Sequence, residues 1–263
     1  MKLSGLFGRK NKTKTPQSTE PKKPVQSTAK KSVDSASKSS PKTSNTNKRS
    51  DKTAVKPSKP VWTEKDYQVE PQEGKTRFHD LNLQPDLLHG IADLGYQYCS
   101  DIQAESLPHT LQGHDVIGKA ATGTGKTAAF LITIINDFLS RPIPSEERFS
   151  SEPRALILAP TRELAMQIEK DAIGLTEHCD LSVYSVLGGI DYQKQKDYVR
   201  EKVIDILVAT PGRLIDFLNS NDLYLDQLDF LVIDEADRML DMGFIPDVKR
   251  IISRCTKVSE RQT

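Results

Sequence analysis

The sequence lacks several features that would assign it to familiar classes of protein. Its three cysteines, Cys99, Cys179 and Cys255, are widely spaced and match no metal-ligand pattern, so we expect reduced thiols and a cytoplasmic location, not a disulfide framework. No run of about 18 apolar residues is present, and we expect no membrane-spanning helix. No internal repeat was found.

The N-terminal part has few acidic residues and lacks apolar periodicity. Residues 1–60 hold 16 Lys and Arg against 3 Asp and Glu, whereas the remaining residues hold 21 against 33. A stretch so rich in Lys, Ser, Thr and Pro cannot bury enough surface to offset the entropy of ordering it. We therefore predict a disordered basic tail over residues 1–74, which either binds nucleic acid through counterion release or serves only to aid solubility.

Beyond the tail, residues 75–263 are enough for one domain with a sizeable core. Apolar runs and amphipathic stretches alternate, which predicts a parallel sheet covered by helices on both faces, an α/β fold. The predicted strands are 115–119, 155–159, 182–187, 205–209 and 229–233. The predicted helices are 85–94, 103–111, 126–139, 162–177, 191–201, 212–219 and 245–254.

A glycine-bearing loop joins the first predicted strand to a predicted helix. Gly123 and Gly125 accept backbone torsions that turn N–H groups inward around phosphate oxygens, and the helix adds its positive N-terminal end. Lys126 is then placed to reach the β and γ phosphates, and the Thr127 hydroxyl to bind Mg²⁺. Ala120 stands where the general pattern has its first glycine. The phosphate loop is Ala121, Thr122, Gly123, Thr124, Gly125, Lys126 and Thr127.

Two adjacent carboxylates, Asp234 and Glu235, follow the last predicted strand. In a parallel sheet they lie at the edge where ligands of doubly wound folds bind. Asp234 could hold a metal ion, and Glu235 could orient and deprotonate an attacking water. Alone, such a pair is more typical of a helix cap or a solvated turn. Beside the phosphate loop it predicts a nucleoside triphosphate hydrolase in which Lys126, Asp234 and Glu235 are catalytic.

Several ordered motifs now carry a resemblance. From Phe78 to Thr263 the chain resembles the first RecA-like domain of DEAD-box ATP-dependent RNA helicases. The order and sequence of three motifs carry this resemblance, at residues 95–103, 160–165 and 234–237. The resemblance implies a RecA-like P-loop fold, ATP and Mg²⁺ as cofactors, and RNA as a partner. It covers one such domain, so the second domain and the Ser-Ala-Thr motif of the family are expected to be missing.

The first of these motifs resembles the adenine-recognition segment of the family. The amide of Gln103 can both accept a hydrogen bond from the adenine amino group and donate one to N7. Tyr96 could pack on the base, and Phe78 matches an isolated upstream aromatic of the family. Cys99 and Ser100 stand where Pro and Thr are common. Without the family, Gln103 is simply a polar residue near a helix start.

Three further motifs follow strands at the same edge of the sheet, and the resemblance implies that they bind the RNA backbone without strong sequence preference. They supply hydroxyls, free N–H groups at helix starts and arginines. The alternatives are helix caps, a turn and a surface ion pair. The residues are Pro160, Thr161, Arg162, Gly188, Gly189, Thr210, Pro211, Gly212 and Arg213.

The resemblance also implies that Asp237 and Arg238 couple the nucleotide site to the rest of the enzyme. It suggests a role in RNA turnover with an endoribonuclease scaffold of an RNA degradosome. With one domain we expect weak ATP binding, very slow hydrolysis and no unwinding. The alternatives are a DNA helicase with the same core, a non-enzymatic RNA-binding fragment, and a kinase-like or small-molecule ATPase.

Overall fold

The computed structural model describes residues 62–263, so the predicted tail lies outside the described residues over 1–61. The strands are β1 (Ala155–Leu158), β2 (Val183–Val186), β3 (Ile206–Ala209) and β4 (Phe230–Ile233). The helices are α1 (Pro85–Asp93), α2 (Asp101–Thr110), α3 (Lys126–Ser140), α4 (Arg162–Leu175), α5 (Tyr192–Glu201), α6 (Pro211–Asn219), α7 (Ala236–Asp241) and α8 (Ile245–Ile252). Short 3-10 helices occupy Glu64–Asp66, Phe78–Leu81, Ser145–Glu147 and Val258–Glu260.

The four strands form one parallel sheet in the order β2-β3-β1-β4. Leu158 at the end of β1 pairs with Ala209 of β3 and Ile233 of β4, and Val186 of β2 also pairs with Ala209. The carboxyl ends of all four strands are therefore level. The residues that follow them emerge along one edge, which confirms the predicted α/β architecture and prepares a site there.

Both faces of the sheet are covered, as predicted. Alternate residues of β1 belong to two separate hydrophobic clusters, because successive side chains of a strand point to opposite faces. Ala155 and Ile157 pack in a cluster with α1 to α4, and Leu156 and Leu158 in a cluster with α5 to α8. Each fully buried leucine or isoleucine contributes roughly 1.5–3 kcal/mol, so two-sided burial fixes the strand register.

The helices begin where the sequence supplies a start signal. Pro85 and Pro211 occupy first-turn positions, where a missing N–H costs nothing, and Thr161 caps α4 by accepting the Leu164 N–H at 3.3 Å. The predicted helices agree with the structure within about three residues. The six-residue α7 was missed because it is too short to show periodicity. Within residues 62–263, no helix has the length and apolarity needed to cross a bilayer.

The prediction of a strand at 115–119 is wrong. Gln262 lies beside β4, where its N–H donates to Asp229 and its carbonyl accepts from Leu231, and the next residue, Thr263, accepts from the Val116 N–H at 3.3 Å. The segment contacts Thr263 through this one backbone bond and forms no ladder with it. Ile117 is fully exposed as a result.

The prediction of disorder up to residue 74 is wrong over residues 62–74. Tyr67 and Val69 are buried, and the Tyr67 hydroxyl donates to the carbonyl oxygen of Tyr96. Trp62 stacks on His89 with ring centroids 4.4 Å apart. Aromatic side chains anchor this segment, and they outweigh the polar composition of the residues between them.

Candidate functional site

The phosphate loop forms a tight turn that leads directly into α3. Gly123 (φ 77°) and Gly125 (φ 96°) adopt left-handed backbone conformations, which residues with a Cβ resist. Gly125 is the residue before the first turn of α3. As the spacing predicts, the loop therefore sits at the positive end of a 15-residue helix, where free N–H groups attract anions.

Lys126 points back into the loop. Its ammonium group donates to the carbonyl oxygens of Ala120 at 2.5 Å and Ala121 at 2.9 Å, and the Thr124 hydroxyl also donates to Ala121 at 2.8 Å. The Lys126 ammonium group is thus hydrogen-bonded to two carbonyl oxygens of the loop. A phosphate group, which carries full negative charge, would offer Lys126 stronger charge-assisted bonds in exchange for these contacts.

Gln103 joins the start of α2 to this loop. Its side chain is 6% exposed; Oε1 accepts from the Ser100 N–H at 2.9 Å and Nε2 donates to the Gly125 carbonyl at 3.0 Å. Both halves of the amide are therefore engaged within the protein. A Cβ on Gly125 would stand 2.5 Å from Nε2, so this contact also requires glycine. The contact between Gln103 and adenine stays a prediction.

The two aromatic residues expected at the base differ in accessibility. Phe78 is buried in the core at 1% exposure and offers no surface to a ligand as placed. Tyr96 is half-buried, with its ring centroid 6.3 Å from that of Phe78, and burial raises the pKa of its hydroxyl. Phe78 thus supports the ring of Tyr96, which is the one that a base could reach.

Asp234 and Glu235 form a sharp turn at the end of β4. The Asp234 N–H continues the sheet by donating to Leu158, and its Oδ1 accepts from the Glu235 N–H at 3.0 Å. Glu235 is held in a left-handed conformation (φ 49°), unusual for a residue with a side chain. Its carboxylate pairs with Arg238 at 3.0 Å.

The electrostatics of this turn connect it with the phosphate loop. Burial raises the pKa of Asp234, and the charge of Glu235 raises it further, whereas the Glu235 N–H and the charge of Lys126 oppose the rise. Lys126 and Asp234 are thus close enough to influence each other. The structure brings the loop predicted to bind phosphate close to the carboxylate pair.

The three RNA-binding motifs expected from the sequence meet along the same edge. Thr210 accepts the Gly188 N–H at 3.4 Å, so it connects the second motif to the third. The guanidinium of Arg213 donates twice to the Ile190 carbonyl, at 3.0 and 3.1 Å. The turn over residues 188–190 is held between these contacts, and Arg162 lies against Gly189, where a Cβ would be 2.4 Å from its Nη1.

These residues differ in how freely a ligand can reach them. Arg162, Gly189 and Gly212 are exposed. The Arg213 side chain is only 11% exposed, with Asp216 at 3.9 Å, and the rings of Pro160 and Pro211 are buried. The structure therefore offers Arg162 as the accessible cation of this edge, with Arg213 shaping the turn beside it.

Asp237 and Arg238, expected to couple the sites, lie on α7 directly after the acidic turn. The Asp237 carboxylate accepts the Arg238 N–H at 2.9 Å, and Arg238 reaches back to Glu235. Both are exposed. Their role in coupling stays a prediction.

Sequence reasoning missed two residues that hold the loop around Tyr96. The Tyr67 hydroxyl donates to the Tyr96 carbonyl, and the Tyr98 hydroxyl donates to the Glu70 carbonyl at 2.6 Å. The available signal was the presence of aromatic residues in an otherwise polar stretch.

Comparison with known proteins gives matches over most of the described part. A model of the DEAD/DEAH box helicase family matches residues 100–263. The chain is 58% identical over 195 residues to the ATP-dependent RNA helicase RhlB of Pseudomonas aeruginosa, covering 74% of this chain and 49% of that protein. It is 46% identical over 185 residues to the ATP-dependent RNA helicase RhlB of Shewanella baltica, covering 70% and 42%. The chain thus spans about half the length of the curated relatives it matches.

Proposed function

Because the chain belongs to the DEAD/DEAH box helicase family, we propose that its domain binds and hydrolyses ATP as part of an ATP-dependent RNA helicase. The observation that supports this most directly is the position of Lys126. It lies at the start of α3, within electrostatic reach of Asp234 at the end of β4. A phosphate-binding cation and a carboxylate pair at one sheet edge are what triphosphate hydrolysis requires.

Binding begins with the exchange of partners at Lys126. The ammonium releases the Ala120 and Ala121 carbonyls and turns to the β and γ phosphates, which form stronger charge-assisted bonds. The N–H groups at the start of α3 add their positive potential. Gln103 and Tyr96 then contact the adenine, for which Gln103 has to exchange at least one of its present bonds to Ser100 and Gly125.

The hydrolytic step needs a metal ion, for which the donors present are suited. Thr127 and Asp234 would hold Mg²⁺, because a hydroxyl and a carboxylate are the oxygen ligands this hard cation prefers. When bound, Mg²⁺ neutralises charge on the phosphates. Glu235 accepts the proton of the attacking water, and its ion pair with Arg238 holds the carboxylate in place.

RNA is the proposed second ligand, bound through its backbone at the neighbouring part of the same edge. Arg162 contacts phosphates directly, and Thr161, the turn over 188–190 and residues 210–213 supply hydroxyls and N–H groups. Because these motifs and Asp234 follow level strand ends, a shift at one site is transmitted over a short path to the other, with Asp237 and Arg238 on that path.

The nucleotide site is tested by binding of a fluorescent ATP analogue with Mg²⁺, with ATP and GTP as competitors. We expect ATP, and not GTP, to displace the analogue, and we expect Lys126→Ala and Gln103→Ala to abolish binding. Lys119→Ala, an exposed lysine ahead of the loop, is the matched control and should bind as the unchanged protein does. Equal binding by Lys126→Ala and the unchanged protein would rule out the phosphate-loop assignment.

The nature of the nucleic acid is tested separately, by ATP hydrolysis with single-stranded RNA or DNA added. Stimulation by RNA alone supports the proposed substrate. Equal stimulation by DNA favours a DNA-directed helicase with the same core. RNA binding without any nucleotide binding favours a non-enzymatic RNA-binding protein.

We further propose a cytoplasmic location and, by resemblance alone, a contact with an endoribonuclease scaffold of an RNA degradosome that acts in RNA degradation. Free cysteines at Cys99, Cys179 and Cys255 support a reducing compartment. Cell fractionation tests the first proposal, and co-purification with the endoribonuclease tests the second. Recovery in a secreted fraction, or failure of the two proteins to co-purify, would count against them.

A further inference from the structure

Two histidines and an aspartate that the nucleotide and RNA proposals do not use meet on the surface. His89 and Asp93 are one turn apart on α1, and His178 follows the end of α4. The His178 Nε2 lies 2.7 Å from Asp93 Oδ2, and the His89 Nε2 lies 3.9 Å from the same oxygen. One donor atom from each residue lies within 4.8 Å of the others.

We propose that His89, Asp93 and His178 form a binding site for a divalent transition-metal ion of the Zn²⁺ type. Two imidazole nitrogens and one carboxylate oxygen are the ligands such ions prefer, whereas Mg²⁺ prefers oxygen alone. Ligand atoms around tetrahedral zinc are separated by about 3.3 Å, so each donor distance, now 2.7 Å to at most 4.8 Å, has to change by no more than about 1.5 Å. Asp93 is 50% exposed, which leaves room for water at the remaining position.

The aromatic rings around the cluster determine what binding must change. His89 and His178 are stacked, with centroids 3.4 Å apart and planes 4° apart, and Trp62 stacks on His89. An imidazole nitrogen binds a metal in the plane of its ring, and two stacked rings cannot both point at one ion. One histidine therefore has to rotate about its Cβ–Cγ bond, which alters the surroundings of Trp62.

This rotation gives the site an intrinsic reporter, because Trp62 is the one tryptophan in the sequence. The ion would also tie α1 to the end of α4, two elements that already pack together in one core cluster. A ligand that binds the folded state alone raises its stability by mass action. A bound ion would thus cross-link α1 and the end of α4 and stabilise the folded domain.

The experiment uses the full chain without an affinity tag, stripped with chelator and kept in excess Mg²⁺ so that nucleotide-site carboxylates are occupied. Zn²⁺ is added while heat release and Trp62 emission are recorded. We expect one saturable site per chain with micromolar affinity, a change in Trp62 emission with the same midpoint, and a rise in Tm of about 5 °C at saturation.

Three variants, His89→Gln, Asp93→Asn and His178→Gln, test the ligands, and each should weaken binding by about tenfold or more. His114→Gln, an exposed histidine elsewhere, should bind as the unchanged protein does. Equal Tm values in chelator establish that the variants are folded. Absence of saturable binding, or full binding by His178→Gln, overturns the proposal. Loss of binding in Cys179→Ser would also overturn it, because the neighbouring sulfur would then be the ligand.

Discussion

The side-chain amide of Gln103 donates to the carbonyl oxygen of Gly125 at 3.0 Å, and this bond joins the start of α2 to the last residue before α3. The other half of the amide accepts from Ser100. A residue proposed to recognise adenine therefore also contacts the phosphate loop. Under the proposed function, adenine would compete with Gly125 or Ser100 for this side chain, which links adenine binding to the position of the loop.

Replacing Gln103 with alanine should destabilise the domain as well as abolish nucleotide binding. The change leaves the Ser100 N–H and the Gly125 carbonyl without their present partners, at a cost of about 1–3 kcal/mol in the free energy of unfolding. Urea unfolding measures this directly. Gln112→Ala is the control, because that exposed amide bonds only the nearby Pro108 carbonyl, and it should change stability by less than about 0.5 kcal/mol. Equal stability of both variants would show that the buried bond contributes nothing.

Alanine at Gly125 and at Gly123 should have unequal effects. Both positions have positive φ, so each substitution strains the backbone by about 1 kcal/mol. At Gly125 the new Cβ also meets Gln103 Nε2 at 2.5 Å and Ser100 Oγ at 2.9 Å, whereas at Gly123 nothing lies within 4 Å. We expect Gly125→Ala to cost at least about 2 kcal/mol and to abolish ATP-analogue binding. Unfolding curves that coincide for the two variants would contradict this.

Asp234→Asn should stabilise the protein at neutral pH while abolishing hydrolysis. Burial raises the pKa of Asp234 in the folded state, so folding favours the protonated form. The resulting stabilisation of the folded state is complete below the unfolded-state pKa of about 3.9. It is lost as the pH rises through the folded-state pKa. Asparagine stays neutral and can still accept the Glu235 N–H.

We expect Asp234→Asn to gain about 0.5–1 kcal/mol at pH 7, a gain that disappears below about pH 4. Urea unfolding at several pH values measures it. The control is Asp237→Asn, an exposed carboxylate in the next turn, which should change little. A loss of stability at pH 7 on making Asp234→Asn would show that the charge is favoured by its surroundings.

Asp222→Asn should have the opposite pH dependence. Burial alone would raise the pKa of Asp222, but bonds from Lys196, Tyr192 and Arg200, at 2.8–3.0 Å, outweigh it and lower the pKa. The stabilisation is present above about pH 4 and is lost as the pH falls through the lowered folded value. We expect the variant to lose about 2–3 kcal/mol at pH 7 and less in acid, with exposed Asp226→Asn unchanged. A loss that grows on acidification would refute this.

Substitutions of Arg162 and Arg213, the two arginines in the proposed RNA-binding motifs, should affect RNA binding and stability differently. Arg162→Gln removes an exposed cation, so we expect weaker RNA binding and unchanged Tm. The slope of log K against log salt concentration should fall in magnitude by about one. Arg213→Gln removes both bonds to the Ile190 carbonyl and should lower Tm as well. Arg141→Gln, on an exposed ion pair with Asp137, is the control and should leave RNA binding unchanged. Titrations at several salt concentrations provide the comparison.

Much of the fold could be predicted because long periodic elements carry their own signal. The parallel strands and helices α3 and α4 follow from apolar spacing, and the level strand ends place Asp234 at the same edge as the residues that follow β1, β2 and β3. The irregular conformation of residues 115–119 could not be predicted, because a short run with apolar residues is typical of a strand. Strand formation depends on pairing with a neighbouring backbone, and the apolar spacing of a segment does not reveal whether that pairing exists.

The side-chain partners in the site could not be predicted. The phosphate-loop pattern predicts that Lys126 reaches phosphates, but it does not predict the bonds of Lys126 to Ala120 and Ala121. The polar composition before residue 75 likewise hid Tyr67, because one buried aromatic ring outweighs many solvated neighbours. Such contacts depend on three-dimensional proximity, which spacing along the chain does not encode.

Glu235 keeps a left-handed backbone conformation (φ 49°) that glycine would adopt without strain. Carrying a side chain at this position costs about 1 kcal/mol of folding free energy. The carboxylate at the end of β4 and the stability of the folded chain therefore oppose each other at one residue, so a glycine there would relax the backbone and remove the acid in the same step.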